Sequence, residues 1–185
     1  MSTPPPSASP SPASSTPAGP TQTSSPTKPP SGLHPAALFR AAAAALSVPM
    51  ALAVPLWITA GRTLFGIEGN LVPIFAATAG PLLAILLLLS AVRLTVSATR
   101  SRNFGAPLRT SFLLLAVWAA GGAFGFLVPD VGGSPGRNGS VMSALLGDEI
   151  VGMSAALANP AGILTLGLTV SLVVVTFRDS VPSRH

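Results

Sequence analysis

The fold of this protein is decided by one run of residues near the middle of the chain, Leu82-Leu83-Ala84-Ile85-Leu86-Leu87-Leu88-Leu89. The run lies within 24 consecutive uncharged residues, which are bounded by Glu68 and Arg93. A helix rises about 1.5 Å per residue, so a stretch of this length crosses the roughly 30 Å hydrocarbon core of a bilayer. A charge at the bilayer centre costs about 2.5–3.5 kcal/mol, so the flanking charges mark the ends of the span. We therefore predict a membrane-spanning helix here.

Three further uncharged stretches are long enough to cross a membrane. They contain 21 residues between Arg40 and Arg62, 20 between Arg109 and Asp130, and 28 between Glu149 and Arg178. The alternating strands of about ten residues that a transmembrane barrel needs are absent from the sequence. The sequence therefore predicts an all-α integral membrane protein, a four-transmembrane-helix bundle with helices at about 37–60, 71–93, 110–129 and 160–177.

Composition supports this class and separates a tail from the membrane domain. Only 8% of the 185 residues are charged, against roughly 25% in soluble domains, and the mean hydropathy is +0.64. Residues 1–35 differ from the rest because they hold eleven of the 20 prolines, nine serines and five threonines. Such a segment cannot bury enough apolar area to offset its ordering entropy. We predict a disordered tail over residues 1–35, a membrane domain over 36–178 and a short carboxyl-terminal segment over 179–185.

The fourth uncharged stretch is too long for one straight span, and it admits two interpretations. Asn159 and Pro160 favour a helix start, because Asn is a good N-cap and Pro suits the first helical position. In that case residues 141–158 form a separate interfacial helix. The alternative is one long kinked helix from Ile150 to Phe177.

The distribution of basic residues predicts the orientation. If the tail is inside, the inner segments carry eight Lys and Arg residues and the outer loops carry only Arg62 and Arg137. The topogenic residues with the strongest signal join the second and third helices: Arg93, Arg100, Arg102 and Arg109. We therefore expect both termini in the cytoplasm. Nine arginines against one lysine, with abundant Ala, Gly and Pro, favour a GC-rich bacterial genome and hence a bacterial cytoplasmic membrane.

The sequence contains no recognisable catalytic or cofactor-binding signature, so we expect no enzyme activity and no cofactor. The two histidines, His34 and His185, lie outside the proposed spans, so neither can serve as a base within the membrane. The four uncharged stretches contain no ionisable residue, whereas proton- or ion-coupled transporters usually keep such a group inside the membrane. The basic residues are spread along the chain without a basic face, which excludes a nucleic-acid partner. We expect Asp130, Asp148 and Glu149 to be solvated carboxylates of an outer loop. An alternative is that this loop binds a divalent cation and serves an envelope enzyme.

Small residues at four-residue spacing predict close helix packing, because they let backbones approach each other in lipid. The helix-packing candidates are Gly121 and Gly125 in the third span and Ala158 and Gly162 at the start of the fourth. The first pair predicts either an intrachain packing face or a homodimer face. Trp118 falls in the middle of the third span, so its indole N–H is expected to need either an acceptor within the bundle or a tilt of the helix that lifts the ring toward the headgroups.

These features favour a non-enzymatic accessory or regulatory membrane protein that acts through helix packing. Its expected partners are the lipid bilayer and either a larger membrane protein or a second copy of the chain. A second hypothesis is a small permease or export component for a neutral or apolar solute that moves along a path lined by hydroxyl groups.

Overall fold

The computed structural model of this chain describes residues 34–67, 69–100, 105–130 and 139–179. Within these ranges the chain is helical, and its α-helices are α1 Pro35–Ala60, α2 Leu71–Ala77, α3 Ala79–Arg100, α4 Leu108–Leu127, α5 Val141–Leu146 and α6 Val151–Asp179. Short 3-10 helices at Gly61–Phe65 and Asp148–Ile150 follow α1 and precede α6. The predicted disordered tail lies outside the described residues, apart from its last two positions.

Four helical segments are long and apolar enough to cross a membrane, which confirms the predicted all-α membrane fold with four spanning helices. The segments are Pro35–Phe65, Ala79–Arg100, Leu108–Leu127 and Asp148–Asp179. Both α1 and α4 begin and end within two residues of the predicted positions. The protein is therefore a multi-pass membrane protein.

The four long helices form a bundle in which each helix has two neighbours. Helix α1 packs against α3 and α4, and α6 packs against the same two helices from the opposite side. The buried positions of α3 recur every three or four residues, so one stripe of the helix faces the core: Gly80, Leu83, Leu87, Ser90, Ala91, Leu94 and Ala98. Because the helices alternate in direction, the bundle has two ends. The Arg62 end is where α1 and α4 finish, and the Arg109 end is where α4 begins and α6 finishes.

The second predicted helix is divided in two by a break at Thr78. Its backbone angles, φ −127° and ψ −84°, leave the helical region between α2 and α3. Pro81 explains the position of the break, because proline has no N–H to donate to the carbonyl of Ala77 and its ring crowds that carbonyl. Beyond the break, α3 continues to Arg100, past the predicted end at Arg93.

Of the two interpretations of the fourth uncharged stretch, the helix start at Pro160 is wrong, and the single long helix predicted from Ile150 to Phe177 is close to the observed Val151–Asp179. Helix α6 begins at Val151 and runs through Pro160, and the separate helix α5 covers only Val141–Leu146 of the predicted range 141–158. Pro160 removes the hydrogen bond to the carbonyl of Ala156 and its ring crowds that carbonyl, but such losses are tolerated in membrane helices. The turns before it stay helical because Ser154 and Ala158 are buried against the bundle.

Candidate functional site

A buried ion pair lies at the Arg62 end of the bundle. Arg62 belongs to the 3-10 helix after α1, and its Nη1 lies 3.3 Å from Oδ2 of Asp130, which follows α4. Nη2 of the arginine donates to the carbonyl of Ile58 at 3.2 Å, and the guanidinium carbon lies 5.5 Å from the centre of the Phe75 ring. The two charged side chains are 1% and 0% exposed. The pair is therefore removed from both water and lipid.

Asp130 holds three segments together at this point. Its Oδ1 accepts from the backbone N–H of Leu71 at 3.1 Å, which ties the start of α2 to the end of α4. Its backbone exchanges two hydrogen bonds with Gly139, at 2.7 and 2.9 Å. Gly69 passes so close to the carboxylate that a Cβ there would overlap it, so only glycine fits. Asp130 thus joins the 3-10 helix after α1 and the start of α2 through its carboxylate, and the segment before α5 through its backbone.

The expectation that Asp130 is a solvated loop carboxylate is wrong. Helices α1 and α4 lie side by side and both finish at this end, so the two charges that close their apolar stretches meet. A signal for this pair was present in the sequence. The two charges have opposite signs, and they end two spans that are predicted to finish on the same side of the membrane. Burial of each ion is tolerated because the other ion and backbone groups replace its solvent.

One donor of the ion pair has no acceptor. Nε of Arg62 is buried and makes no hydrogen bond within the described part of the chain, so the arginine is paired on its two terminal nitrogens only. The side-chain hydrogen bonds of Arg62 and Asp130 among the described residues are those to each other, to the carbonyl of Ile58 and from the N–H of Leu71. The arrangement can hold chain segments in place.

A cluster of three buried serines lies beside the ion pair. Ser140 caps α5: its Oγ accepts from the N–H of Ser143 at 3.1 Å, and the Ser143 Oγ accepts from the Ser140 N–H at 2.9 Å. Ser154 of α6 lies 2.7 Å from Ser140 Oγ and donates to the carbonyl of Leu127 at the end of α4. These hydroxyls connect α4, α5 and α6, and they serve as structural hydrogen-bonding groups.

The two glycines of the third span face α1 within the same chain. A Cβ built on Gly121 would lie 2.5 Å from Cγ1 of Val54, and one built on Gly125 would lie 2.6 Å from Cδ1 of Trp57. Trp57 also donates its indole N–H to the carbonyl of Gly122 at 3.0 Å. The close approach of α1 and α4 therefore depends on the absence of side chains at these positions.

The helix-packing candidates of the fourth span, Ala158 and Gly162, belong to α6, which also packs against α4. A Cβ on Gly162 would come within 2.8 Å of the Phe124 ring, and Ala158 is 5% exposed. The buried indole nitrogen of Trp118, in contrast, makes no hydrogen bond among the described residues, so the first of its two expected solutions, an acceptor within the bundle, is not found there. Its ring lines an open groove of about 370 Å³ between α1 and α4.

The predicted topogenic arginines lie at the opposite end of the bundle from the ion pair. Arg93 and Arg100 belong to the last turns of α3, and Arg109 belongs to the first turn of α4. Arg109 pairs with Asp179 at 2.5 Å, with 68% of the arginine side chain exposed. Arg102 lies outside the described residues. The structure thus gathers three of the four at the Arg109 end.

The carboxylates proposed as metal ligands lie apart from these sites. Asp148 and Glu149 form the exposed 3-10 turn before α6. In the ranges that the structure describes, no three His, Asp or Glu side chains come close enough to hold a metal ion. The envelope-enzyme hypothesis therefore has two adjacent carboxylates and no third protein ligand among the described residues.

Comparisons with protein-family models, with curated proteins and with solved structures give no match to this chain. The fold and its buried contacts therefore define the class, an all-α multi-pass membrane protein with a four-helix bundle, and the functional argument rests on the chain's own residues.

Proposed function

We propose that this protein is a non-enzymatic component of a bacterial cytoplasmic membrane that acts by packing its helices against another membrane protein. In this role it is an accessory or regulatory subunit rather than a carrier or an enzyme. The observation that carries the proposal is the outer surface of α6, which is the least covered of the four spans.

Helix α6 gives most of its apolar surface to its surroundings. Only 22% of the apolar 18-residue stretch that represents this span is buried, against 33–39% of the corresponding stretches in the other three spans. The exposed positions include two small residues, Gly167 and Ser171, within a broad apolar face: Ile163, Leu164, Leu166, Val170 and Val174. Small residues on a lipid-facing helix let a second backbone approach and gain van der Waals contact. This face of α6 is the proposed docking surface.

The interior of the bundle supports a structural role over a transport role. Several buried hydroxyls of the spans donate to carbonyls of their own helices: Ser47 donates to Ala44 at 2.7 Å, and Thr169 donates to Thr165 at 2.7 Å. Ser90 does the same with Leu86 at 2.9 Å. A hydroxyl that already donates to its own backbone needs no further partner, so these side chains do not form a polar path for a solute.

The distribution of charge supports an orientation with the Arg109 end in the cytoplasm. Among the described residues, this end carries five arginines and one carboxylate: Arg40, Arg93, Arg100, Arg109, Arg178 and Asp179. The opposite end carries Arg62, whose charge is balanced by the buried Asp130. The positive-inside rule then favours an inner location for both termini.

Photo-crosslinking in native membranes tests the proposed docking surface. A photoreactive residue is placed at Leu166 on α6 and, as the control, at Ile85 on α3, which are 47% and 63% exposed. We expect one discrete protein adduct from position 166 and only lipid adducts from position 85. An adduct of twice the chain mass identifies self-association, and a larger one identifies another protein. Lipid adducts alone at both positions would contradict the proposal.

A further inference from the structure

At the Arg109 end, Arg93 of α3 is held by an aromatic ring instead of a carboxylate. Its guanidinium carbon lies 4.3 Å from the centre of the Phe177 ring on α6, and the arginine is exposed. A guanidinium stacked on a ring uses its face, while its N–H donors lie in the plane and stay available. The contact therefore fixes the position of a cation without satisfying its hydrogen bonds.

The location of Arg93 is unusual for a charged residue of a spanning helix. It lies seven residues before the end of α3 at Arg100, which corresponds to about 10 Å along the helix axis. A long cationic side chain at this depth extends toward the headgroups and keeps its apolar stem in the hydrocarbon. If the uncharged stretch that ends at Arg93 crosses the hydrocarbon, the charge reaches the level of the phospholipid phosphates.

No protein anion among the described residues balances this charge. The ion pairs that the described residues form are those of Arg62 with Asp130 and Arg109 with Asp179, so Arg93 has neither carboxylate as a partner. The end of the bundle around it carries an excess of arginines. A cation oriented by a ring, with unused donors and an excess of positive charge nearby, fits a phosphate.

The surface next to Arg93 is suited to an acyl chain. Helices α3 and α6 pack against each other and run in the same direction, so the turns before Arg93 and before Phe177 lie toward the middle of the bundle. Most exposed residues of these turns are apolar, namely Leu89 and Val92 on α3 and Val170 and Val174 on α6, while the exposed Ser171 donates its hydroxyl to the carbonyl of Gly167. A single molecule with an anionic headgroup and apolar tails matches both parts of this surface.

We propose that α3 and α6 form a binding site for an anionic phospholipid, with the phosphate on Arg93 and an acyl chain along the apolar turns beside it. Phe177 is the positioning residue, because it orients the guanidinium and leaves its N–H edge directed to the headgroup. The site shares Val170 and Val174 with the α6 face proposed for a protein partner, but its phosphate-binding residue, Arg93, lies on α3 outside that face, and the lipid proposal does not depend on the protein partner.

Native mass spectrometry of the detergent-purified full chain, titrated with phosphatidylglycerol or phosphatidylcholine, tests the site. Arg93→Gln should lower the affinity for phosphatidylglycerol about fivefold, the loss expected for one interfacial arginine. Phe177→Leu keeps the charge and should give a smaller loss. Arg100→Gln is the matched control, since it removes the same charge from the same helix and leaves the contact with Phe177; we expect less than about a twofold effect.

Several outcomes would overturn the site. Equal losses from Arg93→Gln and Arg100→Gln would indicate attraction to net charge alone, and equal binding of phosphatidylcholine would exclude recognition of an anionic headgroup. Competition by soluble glycerol phosphate at the same concentration as the lipid would exclude a role for the acyl chain. Circular dichroism and size-exclusion chromatography establish that the variants are folded. If Arg93→Gln does not fold, an unchanged affinity in Phe177→Leu is the overturning result.

Discussion

Arg62 and Asp130 are 68 residues apart in the sequence, yet Nη1 of the arginine lies 3.3 Å from Oδ2 of the aspartate and both side chains are buried. The pair joins the finishing ends of α1 and α4, two helices that run in the same direction and share no connecting loop. Because both charges are buried, whereas the other ion pair of the described residues, Arg109 with Asp179, is largely exposed, this interaction selects one relative position of the two helices.

Removal of one member of this pair should destabilise the bundle. We expect Arg62→Met to lower the free energy of unfolding in detergent by about 3–5 kcal/mol, because it leaves the charge of Asp130 buried without a partner. Asp130→Asn should cost a similar amount, since it leaves Arg62 unbalanced. Denaturant or SDS titration followed by circular dichroism measures both.

The double variant Arg62→Met/Asp130→Asn is the control for this prediction. It removes both charges and keeps a side-chain oxygen for the N–H of Leu71, so its stability should exceed that of either single variant. A double variant as unstable as the sum of the single changes would show that the two side chains act independently.

Two adjacent glycines of α4 provide a matched test of close packing. We expect Gly121→Ala to lower the free energy of unfolding by about 1–3 kcal/mol, because the new methyl group would overlap Val54. Gly122→Ala meets nothing within 4 Å, and it should be neutral or stabilise the helix by up to about 1 kcal/mol. Thermal unfolding of the two purified variants and the parent protein measures both changes in stability.

The same variants distinguish a contact within the chain from one between chains. A contact with Val54 of the same chain predicts a loss in Gly121→Ala that does not depend on protein concentration, and partial recovery in Gly121→Ala/Val54→Ala. If dilution in detergent lowers the stability of the parent protein and Gly121→Ala shifts the mass to that of a monomer, the glycine belongs to a dimer interface instead.

The capping serine of α5 should control the stability of the Arg62 end. Ser140→Ala removes the acceptor of the Ser143 N–H and the neighbour of Ser154, and it should cost about 0.5–2 kcal/mol. Hydrogen exchange at the Ser143 amide should become faster. Ser171→Ala, at an exposed serine that bonds only within α6, serves as the control and should leave that exchange unchanged.

The proposed orientation has a direct test with topology reporters. Reporters placed after His185 and between Arg93 and Arg109 should both indicate the cytoplasm, because the arginine-rich segments are retained inside. A reporter near Arg137 should indicate the exterior. A cytoplasmic result at Arg137 would reject the orientation, whereas the four-helix fold would remain.

The number and place of the spanning helices could be predicted because insertion depends on local hydrophobicity. In lipid every backbone N–H and C=O must be satisfied within its own helix, so a long uncharged stretch has few alternatives. The effect of each proline was less predictable. Pro81 lies beside the break at Thr78, while Pro160 lies within continuous α6, and the difference depends on what holds the preceding turn.

By itself, the sequence determined that this chain forms four helices in a membrane, since charge spacing and apolar length are properties of each segment alone. Only the tertiary structure decided that α1 lies beside α4, because that arrangement depends on the close contact between Gly121 of α4 and Val54 of α1. The burial of Arg62 with Asp130 follows from the same choice. Two charges that each appeared to end a span in solvent become partners only when their helices are neighbours.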